Sequence, residues 1–366
     1  MKEFETAYKG KNIIVTGNTG FKGSWLSLWL NKLGANVLGI SDRLVSNPSN
    51  YKTSRLDKKI DTEWIDIADT KSVISVICKF SPDYIFHLAA QPIVYTAYEN
   101  PVETYKTNSF GTINIMEAIR LLNKRVVGVI ITSDKVYENL EWKWGYREYD
   151  KIGGKDPYSA SKGMAELGIK SYVESFLKEN NKIIGVARAG NVIGGGDWAE
   201  NRIIPDCVKA WSKNKLVKVR NPNSTRPWQH VLEPVSGYLS LGSFLSKQKK
   251  QDGSAYNFGP KKYQDRSVYE LINEMQIYWQ KVNWEIDNSN KKNIYKEANL
   301  LKLNCDKSME VLGWEPVLTF EETIKLTAEW YKNFYENSSG STFDMSVQQL
   351  NYFIDVAKTR GLKWAK

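Results

Sequence analysis

The chain has 366 residues, is 42% hydrophobic and carries a formal net charge of +10. That length suits one large or two modest domains with a sizeable core, and no apolar run approaches the roughly 20 residues of a membrane-spanning helix. The positive excess raises nucleic acid as a partner, yet the lysines are scattered and the densest run, Lys247 to Lys250, sits in a polar connection, so the charge reads as solvated surface.

Met1-Lys2-Glu3-Phe4-Glu5 lacks the basic start and apolar core of a secretory signal, which makes the cytoplasm the expected compartment. An apolar strand at Ile13 to Thr16 feeds the turn Gly17-Asn18-Thr19-Gly20-Phe21-Lys22-Gly23 and a helical pattern from Ser24 to Leu33. Trp25 and Trp29 lie four apart on that helix and read as core, not as stacking platforms for bases. Further strands are expected at Asn36 to Ile40, Tyr84 to Leu88, Val126 to Thr132 and Ile183 to Arg188, with helices at Thr70 to Phe80, Thr104 to Leu122 and Pro157 to Glu179. Such alternation, with near-continuous apolar strands, predicts an α/β fold built on a doubly wound parallel Rossmann sheet. Residues 1–190 are assigned to that dinucleotide-binding domain. From Asn191 the regularity fades, and residues 191–366 are assigned mainly to a smaller α/β substrate-binding portion interleaved with the sheet's last elements. A polar stretch, Asn337 to Ser341, precedes a final helix. Cys78, Cys207 and Cys305 are odd in number and lack metal-spaced histidines, so they read as reduced structural thiols with no metal site.

Glycines at 17, 20 and 23 let backbone N–H groups approach a pyrophosphate at a helix N-terminus. At the end of the second strand, Asp42 favours NAD by accepting from both ribose hydroxyls, while Arg43 could instead clamp a 2′-phosphate or face solvent. Ser133, Asp134 and Lys135 follow an apolar strand and so emerge at the sheet's carboxyl edge, where ligands bind in such folds. Tyr158 and Lys162 stand one helical turn apart. An ammonium beside the phenol would lower its pKa and make it a usable base.

Thr16 to Gly23 with Tyr158 to Lys162 resemble the extended short-chain dehydrogenase/reductase superfamily. Asn12 to Leu30, Thr132 to Asn139, Trp144 to Glu148, Gly153 to Leu167, Ala187 to Arg202 and Arg226 to Glu233 further resemble its CDP-glucose 4,6-dehydratase family. The resemblance implies an NAD-dependent lyase acting on CDP-glucose. It implies that Ser133 bonds the 4-hydroxyl, that Tyr158 takes its proton, and that Lys162 holds the nicotinamide ribose and keeps the Tyr158 pKa low. It also gives Asp66-Ile67 to adenine, and Leu88-Ala89-Ala90-Gln91 with Thr107 to the cofactor's nicotinamide side; a cap or turn role for Asp66 competes. For the sugar nucleotide it offers Tyr146, Arg147, Asn191, Asn201, Arg202, Arg226 and His230, with Arg188, Arg202 and Arg226 facing the diphosphate. Related dehydratases carry Asp-Glu where Asp134-Lys135 stands here, which leaves the C5 base open between Lys135 and another group. His87, inside a buried strand, reads as a satisfied core histidine. The family's pairing through the helices at 104–122 and 157–179 implies a homodimer or a dimer of dimers. Two alternatives stand: a sibling dehydratase or epimerase, and a non-catalytic dinucleotide-sensing or RNA-binding protein, which would not need both Tyr158 and Lys162.

Overall fold

The computed structural model describes residues 1–178, 181–249, 253–261, 265–287, 300–337 and 342–366. Lys250, Glu179 and most of the polar stretch after Asn337 lie outside them. Seven parallel strands form the central sheet: β1 (Asn12–Thr16), β2 (Asn36–Ser41), β3 (Asp61–Trp64), β4 (Tyr84–His87), β5 (Val126–Ile131), β6 (Lys182–Ala189) and β7 (Ala255–Phe258), in the order β7-β6-β5-β4-β1-β2-β3. Ile13 and Val15 enter one core cluster and Ile14 another, because successive side chains point to opposite faces and both faces are covered.

The expected strands are present to within about a residue at each end. Two were not expected. β3 reads Asp-Thr-Glu-Trp and is largely exposed at the sheet's edge, so it lacks an apolar run. β7 comes from the second half of the chain and pairs with β6, Ala255 opposite Val186. A helix at the start, α1 (Lys2–Tyr8), is also new; it docks through Phe4, which stacks on Trp364 at 5.3 Å.

Helix α2 (Phe21–Lys32) follows the glycine turn, and α3 (Thr70–Phe80), α4 (Gly111–Leu121) and α5 (Pro157–Tyr172) cover one face. The expected helix at 104–122 runs through a π-helical turn, Lys106–Phe110, before α4, and α5 continues into another at Val173–Leu177. α5 begins sharply because Asp156 accepts from the Ser159 N–H at 2.9 Å and Pro157 needs no N–H partner.

The other face is covered by α7 (Leu232–Ser246), whose Leu241 and Leu245 crowd Gly185 of β6. Before it lies α6 (Ile203–Trp211), and after it α8 (Phe320–Glu336) and α9 (Thr342–Thr359). One core cluster therefore runs from Phe4 to Ala365 across both halves. Among the described residues, the remaining strands of the second half form three two-stranded pairs that support loops. Trp25, Trp29, Trp198, Trp211, Trp279, Trp314 and Trp330 are fully buried, as core packing requires. Cys207 and Cys305 are buried thiols pushed up to about 12 by desolvation. Cys78 departs from expectation: it is exposed on α3. Among the described residues no helix is long and apolar enough to cross a membrane, and no cluster of ligands could hold a metal.

Candidate active site

Strand order reverses between β1 and β4, so the loops leaving their carboxyl ends part and open a crevice. Thr16, the last residue of β1, ties that point together: its hydroxyl accepts from Leu88 N at 3.1 Å and Ala89 N at 3.0 Å. Gly17 takes φ +70°, and a Cβ there would stand 2.8 Å from Ala89 N. A Cβ on Gly23 would collide with the Gly17 carbonyl, so only glycines allow this turn to fold onto α2. Gly20 caps α2 without a side chain, which leaves the first-turn N–H groups facing the crevice without a side-chain acceptor. The cradle fits a dinucleotide's pyrophosphate.

Several turn side chains point away from it. Asn18 is fully buried, accepting from Ser41 Oγ at 2.8 Å and donating to Thr62 Oγ1 at 2.9 Å, so its side chain braces β2 and β3. Thr19 Oγ1 donates to the Arg43 carbonyl at 2.8 Å. These bonds hold the end of β2 beside the turn, where Asp42 and Arg43 are exposed and pair at 3.6 Å. Asp66 accepts from Ala68 N at 2.8 Å, the turn geometry that competed with an adenine contact, although it remains exposed. Ile67 is buried against Gly111. Ala90 and Thr107 are half-buried. Gln91 spends its side chain on Thr104 Oγ1 and Ile93 N.

The reactive corner is built from the end of β5 and the first turns of α5. Ser133 Oγ donates to Asp134 Oδ1 at 3.0 Å and bonds the Tyr158 hydroxyl, while Lys135 N donates back to Ser133 Oγ at 3.2 Å. Ser133, Asp134, Tyr158 and Lys162 are all buried, at 4–7% exposure. Desolvation raises the Asp134 carboxyl pKa against the pull of Lys135, Ser133 and Lys22. A carboxyl pKa moved upward by burial is the direction a general acid needs.

The phenol departs from expectation. Burial raises the Tyr158 pKa, and the cations that counter this are Lys135 and Arg202. Lys162, lowered to about 8 by desolvation and by Lys22, is drawn instead by Glu166 and acts on His87. Lys22, half-buried in the glycine turn, is likewise lowered to about 8 by desolvation and Arg202. His87 is the satisfied core histidine expected: its nitrogens meet Thr16 Oγ1 at 2.7 Å and Thr112 Oγ1 at 3.0 Å, and burial holds it down to about 3.

Three residues singled out for the substrate are structural. Arg188 is buried against Glu166 in a bidentate pair and also donates to Tyr137 at 2.7 Å. Removing one partner from such a pair costs about 3–5 kcal/mol, so Arg188 is not free for a diphosphate. Tyr146 is buried and stacked on Tyr137 at 5.1 Å, with its hydroxyl spent on Leu140 N and Asn139 Oδ1. His230 is wholly buried against Trp25, and desolvation lowers it to about 3. The other candidates remain accessible: Arg147 and Asn201 are exposed, and Asn191, Arg202 and Arg226 half-buried.

Two residues went unnoticed. Asn108, buried in the π-helical turn, accepts from Gln91 N and donates to the Gln91 carbonyl and Ser161 Oγ, clamping the β4 loop to α5. The polar triplet Thr107-Asn108-Ser109 inside a helix was its signal, since asparagine is disfavoured there. Asp197, buried at 4% exposure, pairs with Arg202 at 2.8 Å; it carried no motif of its own.

A sequence profile described as GDP-mannose 4,6 dehydratase matches residues 14–327. The chain belongs to this family. Among members of the 4,6-dehydratase family, the CDP-glucose 4,6-dehydratase of Salmonella typhimurium is 43% identical over 331 residues, covering 89% of this chain and 91% of its own. Among solved structures, an epimerase from Methanothermobacter thermautotrophicus superposes with TM-score 0.77 at 26% identity, covering 92% of this chain and 97% of its own. The dTDP-glucose 4,6-dehydratase of Bacillus anthracis, determined in complex with NAD, superposes with TM-score 0.72 at 21% identity over 88% of this chain and 97% of its own. The Rossmann fold expected from strand and helix alternation is thus the fold of the family.

Proposed function

We propose that the protein is an NAD-dependent CDP-glucose 4,6-dehydratase, converting CDP-glucose to its 4-keto-6-deoxy derivative with loss of water. The observation that carries this is the buried Ser133, Asp134 and Tyr158 corner in a chain 43% identical to a CDP-glucose 4,6-dehydratase. The Gly17 to Gly23 turn, Asp42 and Lys162 would hold NAD, which when bound supplies a hydride acceptor at C4 and a donor at C6. Ser133 orients the 4-hydroxyl and Tyr158 takes its proton. The 4-ketone acidifies the C5 hydrogen; Lys135 stands nearest in sequence to serve as its base, and Asp134 protonates the departing C6 hydroxyl. Arg202 and Arg226, with Asn191, offer donors to the diphosphate, guanidinium being suited to two parallel bonds.

The test is incubation with CDP-, dTDP-, GDP- and UDP-glucose and mass analysis of the products. Loss of one water from the CDP sugar, sustained by catalytic NAD with no net reduction of cofactor, is expected. Product formed in step with accumulating reduced cofactor would instead mark a simple dehydrogenase.

The protein is also proposed to pair through its α4 and α5 face. Phe110 (53% exposed), Leu121, Met164 (40%) and Leu167 (61%) are large apolar side chains left open there, more than a solvated helix pair needs. Sedimentation at micromolar concentration should show a dimer or larger; a species of 41.9 kDa alone would refute the pairing.

A further inference from the structure

The turn that carries Ser133, Asp134 and Lys135 is weakly closed by its own backbone. Val136 N reaches the Ser133 carbonyl and Tyr137 N the Asp134 carbonyl at 3.4 Å each, longer than the roughly 2.9 Å usual for such bonds. Its two ends are held from outside, by the same ion pair. At the near end Thr132, the residue before Ser133, donates its hydroxyl to Glu166 Oε1 at 2.6 Å. At the far end the Tyr137 hydroxyl accepts from Arg188 Nη1 at 2.7 Å and donates to Asn257 Oδ1 of β7 at 2.8 Å. Arg188 and Glu166 close the ring: Nε donates to Oε1 at 2.8 Å and Nη2 to Oε2, while Nη1 also reaches the Glu148 carbonyl at 3.1 Å. Thr132, Tyr137, Glu166 and Arg188 are all buried.

The pair comes from the elements on which the rest of the corner stands. Glu166 follows Tyr158 and Lys162 at four-residue steps on α5, so the three share one helix face. Arg188 lies on β6, beside β5 and two residues before Gly190, where a Cβ would stand 3.0 Å from Asp134 Oδ2. A displaced pair would shift the turn relative to Tyr158 and Lys162. Stability alone does not account for it, because buried ion pairs are often no more stabilising than apolar side chains of the same volume.

We propose that Glu166 and Arg188 are positioning residues for C4 oxidation: through Thr132 and Tyr137 they fix both ends of the turn and so set Ser133 against the Tyr158 hydroxyl. This rests on the dehydratase reading, and it gives the pair a task beyond walling the site.

The test leaves the ion pair intact and cuts its links to the turn. Thr132→Val removes one hydroxyl at nearly constant volume and Tyr137→Phe removes the other; each NAD-loaded variant is measured in single-turnover oxidation of CDP-glucose. A reacting group misplaced by about 1 Å costs roughly a hundredfold, so each variant should oxidise about ten to a hundredfold more slowly. KM for CDP-glucose should hold, and Thr132→Ser should recover most of the rate. The decisive comparison is made in Ser133→Ala. With no Ser133 hydroxyl to place, adding Thr132→Val should cost less than about twofold, whereas a merely structural role predicts the same loss in both backgrounds. Wild-type oxidation by either folded variant, or a loss that persists in full in Ser133→Ala, overturns the proposal. Should Thr132→Val fail to fold, Tyr137→Phe carries the same comparison. A wild-type protein that oxidises no sugar nucleotide would sink the dehydratase reading, and the crystal structure of Thr132→Val with NAD would still decide the positioning. There Ser133 Oγ should leave hydrogen-bond reach of the Tyr158 hydroxyl; an unmoved Ser133 refutes it.

Discussion

Replacing Tyr158 by Phe should lower C4 oxidation by roughly two to four orders of magnitude, the usual range for a lost general base, while the fold and NAD binding survive. The ring is buried at 7% exposure and phenylalanine fills the same space, so packing is kept. What is lost is the hydroxyl bonded to Ser133, worth about 1 kcal/mol to stability, well short of the expected loss in rate. The pH dependence follows from the raised phenol pKa. Below it the phenol holds its proton and cannot take another, so wild-type kcat/KM should fall as pH falls through that value, and the slow residual reaction of Tyr158→Phe should lose this limb. Single-turnover oxidation and cofactor titration separate the two effects. Near-normal oxidation by Tyr158→Phe would move the base elsewhere.

Tyr158 and Lys162 were legible because a helix fixes their spacing and Asp156-Pro157 announces its start. The glycine turn was legible because backbone approach demands glycine at 17 and 23. Sequence could not say which way a side chain faces within a recognisable block. Tyr146, Arg188 and His230 lie in such blocks, yet they build the wall of the site, packed on Tyr137, Glu166 and Trp25. Blocks of this kind contain both the residues that touch ligand and those that hold them. Asp197 and Asn108 escaped for the converse reason: each acts through a partner far away in sequence, Tyr331 for one and Gln91 with Ser161 for the other. β7 escaped because a four-residue strand supplied from beyond Asn191 has no βαβ neighbour to announce it. The Tyr158 pKa was misjudged on the same ground. Helical spacing places Lys162 on the right face, but burial and the charges of Lys22 and Glu166 decide where its own charge acts.

Asp134→Asn should separate oxidation from elimination. Asparagine keeps an acceptor for Ser133 Oγ, and Tyr158 and Lys162 are untouched, so C4 oxidation should continue. It has no acidic proton for the C6 hydroxyl, and water loss should fall by about two to four orders of magnitude. The 4-keto sugar with its C6 hydroxyl intact would then accumulate in a single turnover, trappable by borohydride. The wild-type sign follows from the same carboxyl: its pKa is raised by burial, the acid form is the active one, and kcat should decline as pH rises through that value. Lys135→Met tests the other half of the step. If Lys135 takes the C5 proton, this variant also stalls after oxidation, and deuterium from solvent no longer enters C5. Normal exchange with undiminished elimination would remove Lys135 from that role. Its charge would then act at O4 during oxidation, where alkoxide character develops next to the Ser133 bond, and the cost of losing it would appear in the oxidation step shared with Tyr158.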